Sequence, residues 1–287
     1  MNKASYFKGV FYILLSAFGF AVMNLCVTLA GDLPLFQKAL FRNASAAIFS
    51  FILFMKSNEE KDWKREDLRL LFFRSFFGTI GLISNYYALD HLLLSDASML
   101  NKLSPFFTLL LSALILKESC NWKQYLLILV AFIGTLFIVK PSFVLSENMV
   151  ASIIGIIGGF AAGSAYTCVR ALGKRGMPGS QIVFFFSLFS TIICIPFVIK
   201  DHAPMTKYQV LIMIIASLGA TLGQMGITAA YKEAPSKEIS IFDYFTVVFS
   251  ALLGFVFLKQ VPDTYSMIGY VVIFISAYLM FLYNKKH

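Results

Sequence analysis

The sequence is short of charge. Only 14% of its 287 residues are Asp, Glu, Lys or Arg, where soluble domains run near one quarter. Histidine occurs three times, as His91, His202 and His287, in predicted loops or at the terminus. No metal site is expected from them. Four cysteines form no CxxC pair. Cys26, Cys168 and Cys194 fall inside apolar stretches and Cys120 in a loop, so no disulfide framework is expected. There is no HExxH, no phosphate-binding glycine loop, and no Ser/His/Asp set within the apolar segments. An enzyme, a direct ATP drive and a cofactor are therefore not expected.

What remains is apolar. Hydrophobic residues make up 59% and mean hydropathy is +0.77. The fold class expected is an all-α polytopic membrane protein. The net charge of +9 does not point to nucleic acid, because the basic residues sit in short loops between apolar spans. The first apolar stretch ends at Gly31-Asp32 without a clear cleavage pattern and is read as a span, not a signal peptide.

Ten spans are predicted, at 8–30, 34–55, 67–89, 95–116, 122–140, 147–169, 178–199, 208–231, 237–258 and 264–284. Each is long enough for a bilayer, which needs about 20 helical residues. Of the 24 Lys and Arg, four lie within spans: Lys38, Arg42, Arg74 and Lys102. With the N-terminus inside, only Lys140, Lys200, Lys207 and Lys259 lie outside, and all the others are cytoplasmic. The positive-inside rule then puts both termini in the cytoplasm and the protein in the cytoplasmic (inner) membrane.

One segment occurs twice. Asp96–Glu118 reads DASMLNKLSPFFTLLLSALILKE, and Glu238–Gln260 reads EISIFDYFTVVFSALLGFVFLKQ. Adding 142 to a number in the first gives its partner in the second, without a gap. Ser98 meets Ser240, Asn101 meets Asp243, and Pro105 meets Val247. The same offset relates all five spans of each half. The chain divides into repeats 1–142 and 143–287, and since five is odd the second repeat is inverted, an arrangement that places substrate where the halves meet. Gly155, Gly159 and Gly163, and Gly219 with Gly223, form stripes read as helix contacts.

Polar groups within the spans mark the site. A Lys, Arg or Asp at mid-bilayer costs roughly 2.5–3.5 kcal/mol, and something must offset that. Depth sorts the candidates into two sets. Asn24, Arg42, Asn85, Tyr86, Asn101 and Lys102 lie in the outer half. Arg74, Tyr166, Gln224, Asp243 and Tyr244 lie in the inner half. Lys38 stands one turn from the outer end and is read as snorkelling to the headgroups. Arg74 caps helix ends or pairs with Asp243. Asp243 is a proton-coupling carboxylate, a ligand for a substrate ammonium, or half of that pair. Lys102 has no acid at a neighbouring helical position, and Pro105 frees the carbonyl of Asn101 beside it. Its ammonium is expected to await an anionic ligand, with Arg42 as second cation.

Two inverted halves, LFRN around Arg42, Arg74 with Gly78, and SPFFTLLLSALILKE closing span four resemble the EamA family of the drug/metabolite transporter superfamily. The resemblance covers essentially the whole chain. It implies a ten-helix carrier whose cavity is lined by spans one, three, four, six, eight and nine. One branch of the family takes up S-adenosylmethionine, and the Arg42 and Arg74 settings look similar to it. The expected function is alternating-access transport of a small polar metabolite, an amino acid or amino-acid-like compound first, with lipid as solvent and a coupling proton or exchanged substrate as partner. Nucleotide or phosphorylated cargo is the alternative. A non-transporting receptor or lipid-handling protein is the rival from another class.

Overall fold

The computed structural model describes residues 3–56, 64–115, 121–139, 147–233 and 240–286. Cys120, Lys140 and the Glu238 end of the second copy lie outside the described residues. The described residues are mostly helical: α1 Lys3–Leu29, α2 Leu35–Lys56, α3 Arg65–His91, α4 Leu94–Asn101, α5 Ser104–Ile115, α6 Trp122–Val139, α7 Glu147–Lys174, α8 Gly179–Lys200 and α9 Lys207–Glu233. A 3-10 turn, Ser240–Tyr244, leads into α10 Phe245–Leu258, and α11 is Thr264–Lys286. No strand occurs among the described residues.

Local chemistry sets the helix ends. Gly31 takes φ +60° after α1, a conformation a Cβ would resist. Pro34 then opens α2, its carbonyl accepting the N–H groups of Gln37 and Lys38. α10 stops at Lys259, which is left-handed at φ 57°, and the Gln260 N–H closes back on the Gly254 carbonyl at 3.1 Å.

Among the described residues, six segments are long and apolar enough to cross a bilayer by length and composition: Tyr6–Leu29, Leu94–Ile115, Glu147–Gly173, Gly179–Lys200, Lys207–Ile227 and Thr264–Tyr283. α2 and α3 are not in that set, and they carry Lys38, Arg42 and Arg74. Yet those three side chains are buried, while Ile48, Ile52, Phe72 and Phe76 on the same helices are exposed. An outward face so apolar suits lipid.

Helices of the two halves interleave. α1 packs along α9 and α3 along α7, while α2 meets α8 and α6 meets α11. Glycine makes the crossings close. A Cβ on Gly19 would meet the Gly219 carbonyl at 2.8 Å, and one on Gly219 would meet the Gly19 carbonyl at 2.8 Å. Gly159 and Gly163 of α7 lie against the backbone at Leu100 and Ser104. The glycine stripes are therefore helix contacts, as the sequence indicated.

Each rim of the bundle has its own fastening. At one, Gln37 Nε2 donates to the Ala203 carbonyl at 2.9 Å and Gln37 Oε1 accepts the Ala203 N–H at 3.1 Å. Gln209 donates to the Ala30 carbonyl at 3.0 Å, and Gln260 Oε1 accepts the Leu94 N–H at 2.9 Å, capping α4. At the other rim Arg175 bonds Glu66 at 2.8 Å and Asp67 at 3.1 Å. Hydrogen bonds to these two carboxylates push the pKa of Arg175 above its ordinary value.

Candidate functional site

Two breaks in the helices build the site. Pro105 has no N–H to give, and the fourth rod splits there into α4 and α5, with Lys102 and Leu103 in the turn between them. Lys102 leaves α4 at φ −74°, ψ 6°. Its carbonyl is taken by the hydroxyl of Tyr244, which donates to it at 3.0 Å. The second break has no proline. Its 3-10 turn, Ser240–Tyr244, is held by Thr246 Oγ1, which donates to the Asp243 carbonyl at 2.8 Å. The segment that occurs twice is thus not a continuous helix in either copy.

The breaks meet. Lys102 Nζ donates to Asp243 Oδ2 at 2.6 Å, with 10% and 14% of the two side chains exposed. The expected acid-free ammonium is corrected: the acid comes from the other half of the chain, beyond the reach of helical spacing. The alternative pairing of Asp243 with Arg74 does not form. Arg74 instead lies over the ring of Phe186, its guanidinium carbon 3.9 Å from the centroid. Arg42 stands 5.9 Å from the same centroid and donates to Asn43 Oδ1 at 2.6 Å.

A cavity of about 110 Å³ lies against these groups. It gathers Asn24, Arg42, Asn85, Asn101 and Lys102 of the outer set with Arg74, Tyr166 and Gln224 of the inner one. Three candidates do not line it: Tyr86, Tyr244 and Asp243, the last of which is tied to the lining through Lys102. Tyr86 is fully buried in the apolar cluster with Met23 and Cys26. Tyr244 is 4% exposed and acts through its bond to Lys102. Lys38 does not snorkel: it is 1% exposed and bonds Asp90 at 2.6 Å, because the end of α3 brings an acid within reach.

Phe20, Phe186 and Thr246 also line the cavity, and sequence reasoning did not single them out. One phenylalanine among 31 carries no distinguishing signal. Arg42 and Phe186 add α2 and α8 to the expected lining. Around this centre several buried atoms have no hydrogen-bond partner: Nε of Arg42 and Arg74, Oδ1 of Asn24, Asn85 and Asp243, and the Tyr86 hydroxyl. Unsatisfied buried polar groups at this density call for an explanation.

A second cavity of about 580 Å³ lies one helical turn away. α1 gives Asn24 to the first and Thr28 to the second, α3 gives Asn85 and Leu89, and α4 gives Ser98 and Asp96. The wall between is spanned by a short polar chain. Asn24 Nδ2 donates to Ser98 Oγ at 3.2 Å, which donates to Ser250 Oγ at 2.8 Å.

Several known proteins are similar to the chain over most of its length. The pseudopaline exporter CntI of Pseudomonas aeruginosa is 32% identical over 272 residues, 94% of each chain. The S-adenosylmethionine uptake transporter of Rickettsia prowazekii is 21% identical across 100% of this chain and 97% of its own. Human solute carrier family 35 member G1 is 25% identical over 91% of this chain and 75% of its own. One crystal structure, at 16% identity, superposes over 100% of this chain and 99% of that one with a TM-score of 0.65, a likeness of fold. The family model described as the EamA-like transporter family matches residues 7–140 and again 149–282, two ranges 142 apart at both ends. The chain belongs to the EamA-like transporter family of membrane transporters.

Proposed function

We propose that the protein is a secondary carrier that moves a small polar metabolite across the cytoplasmic membrane by alternating access, with amino acids and their derivatives as the leading cargo. The observation that carries this reading is the unpartnered set of polar atoms around the central cavity, where two broken helices face each other. Broken helices at membrane depth are tolerated where they line a cavity. The cavity is smaller than the roughly 300–1,000 Å³ usual for ligand pockets, so cargo enters by displacing its walls. The wall toward the larger cavity is one turn thick, and its Asn24–Ser98–Ser250 chain is the first to open.

Ten spans in two inverted halves, with both termini cytoplasmic, complete the proposal. The crossed pairs support it: α1 on α9 and α7 on α3 are equivalent contacts under the offset of 142. So are the hydrogen bond from Ser16 to the Gly223 carbonyl and the close approach of Gly158 to Gly81. Tyr244 bonds its own repeat partner, Lys102, a contact that supports a pseudo-two-fold axis passing between them.

Transport is tested in proteoliposomes. Vesicles loaded with a mixture of unlabelled amino acids should draw in a labelled member by counterflow, and vesicles holding Lys102→Ala should not. Failure of every amino acid, with dye-tight vesicles and folded protein, would overturn the amino-acid reading. Topology has a separate check. In a cysteine-free background, single cysteines at Asp32, His202 and Asp263 should react with an impermeant thiol reagent on intact cells. Cysteines at Asn58, Lys174 and Lys285 should not, and their labelling in sealed cells would sink the orientation.

A further inference from the structure

The charges at the centre do not balance. Three cations line the cavity, Arg42, Arg74 and Lys102. Asp243 is bound to one of them, Lys102. Arg42 is 4% exposed, and the hydrogen bond from its guanidinium goes to a neutral amide, Asn43, which in turn donates to Ser190 at 2.7 Å. Arg74 is 5% exposed and rests on an aromatic face. The Nε atoms of both are unpartnered. No salt bridge joins either arginine to a carboxylate among the described residues. Burying a guanidinium without an anion is strongly unfavourable, and two such groups share one ring, that of Phe186.

Arginine suits this task better than lysine. Its planar fork binds carboxylate through two parallel hydrogen bonds and stacks on an aromatic ring at the same time. Phe186 lines the cavity within reach of both forks. From these observations we infer that the cargo carries two carboxylates separated by a short hydrocarbon chain, one for Arg42 and one for Arg74, with the chain lying on Phe186. The inference rests on the reading of this cavity as the cargo site and narrows its cargo from amino acids in general to those with two acid groups. A single-carboxylate zwitterion would leave one guanidinium unmatched. Inorganic phosphate would supply charge but nothing to cover the ring.

The test is binding to the purified full-length protein in detergent, read as the shift in thermal midpoint across a concentration series and confirmed by calorimetry. The probes are glutarate, butyrate and inorganic phosphate at equal ionic strength. Glutarate should raise the midpoint, and butyrate and phosphate should bind at least tenfold more weakly. Arg42→Gln and Arg74→Gln should each weaken glutarate about 10- to 100-fold, the scale of one charged hydrogen-bond set. Arg42→Lys and Arg74→Lys should keep part of the affinity, and Arg175→Gln at the rim should keep all of it. Butyrate equal to glutarate would overturn the inference in favour of one carboxylate. Phosphate stronger than glutarate would overturn it in favour of phosphorylated cargo. If the Gln variants do not fold, the ranking of the three probes on the unaltered protein still decides. Because binding is read without transport, a carrier of amino acids with one carboxylate would fail here and still pass the counterflow assay.

Discussion

Asp243→Ala should leave the protein unstable and inactive, and a second change, Lys102→Met, should restore the fold without restoring transport. The two side chains meet at 2.6 Å and are largely buried. Removing one partner of such a pair leaves an uncompensated charge, a loss of about 3–5 kcal/mol, whereas replacing both can be neutral. The fraction still exposed puts the effect at the lower end. A double-mutant cycle on thermal midpoints measures it, and additive losses would show that the pair is not a unit. Asp243→Asn separates the two roles of the carboxylate. The amide keeps an acceptor for Lys102 and cannot exchange a proton, so pH-driven accumulation should vanish while exchange of bound cargo persists. Accumulation with a normal pH dependence in Asp243→Asn would take the carboxylate out of coupling.

Gly19→Ala is the second large effect. The added methyl carbon would stand 2.8 Å from both the Gly219 carbonyl oxygen and the Gly223 nitrogen. Backbone cannot swing aside as a side chain can, so α1 and α9 must part along their length. Overpacking of this kind costs about 1–3 kcal/mol, and here it breaks the most extensive helix crossing among the described residues. Gly173→Ala is the control, for nothing lies within 4 Å of its Cβ. That change should hold or raise the thermal midpoint, since alanine favours helix over glycine by about 0.8–1.0 kcal/mol. Equal behaviour of the two variants would mean that the crossing yields more easily than its geometry implies.

Much of this was legible from residues alone. Hydropathy gives the rods, Pro105 gives the first break, and the cost of charge in lipid gives Arg42, Arg74, Lys102 and Asp243. Partners were harder to read. Lys102 and Asp243 are 141 residues apart, and no local spacing brings them together. Their meeting depends on how ten rods pack. Lys38 was misread for the same reason, since Asp90 sits just past the predicted end of its span. The second break carries no proline and depends on the tertiary bond from Tyr244 to Lys102 and the local one from Thr246 to Asp243. Phe186 gains its role only because Arg74 and Arg42 approach it.

The interleaving of the halves bears on how the protein is made. α1 emerges from the ribosome first, but its main partner, α9, ends at Glu233. α3 likewise waits for α7. Each early helix must stay in the bilayer with its glycine face uncovered through most of synthesis. In lipid that is tolerable, because a single helix already satisfies its own backbone. Neither half can then mature by itself: residues 1–142 made alone should insert but stay sensitive to protease, and supplying 143–287 from a second message should protect both. Contacts of such long sequence range also slow folding, so the newly inserted chain should pass through a stage in which all its helices are present and few are paired.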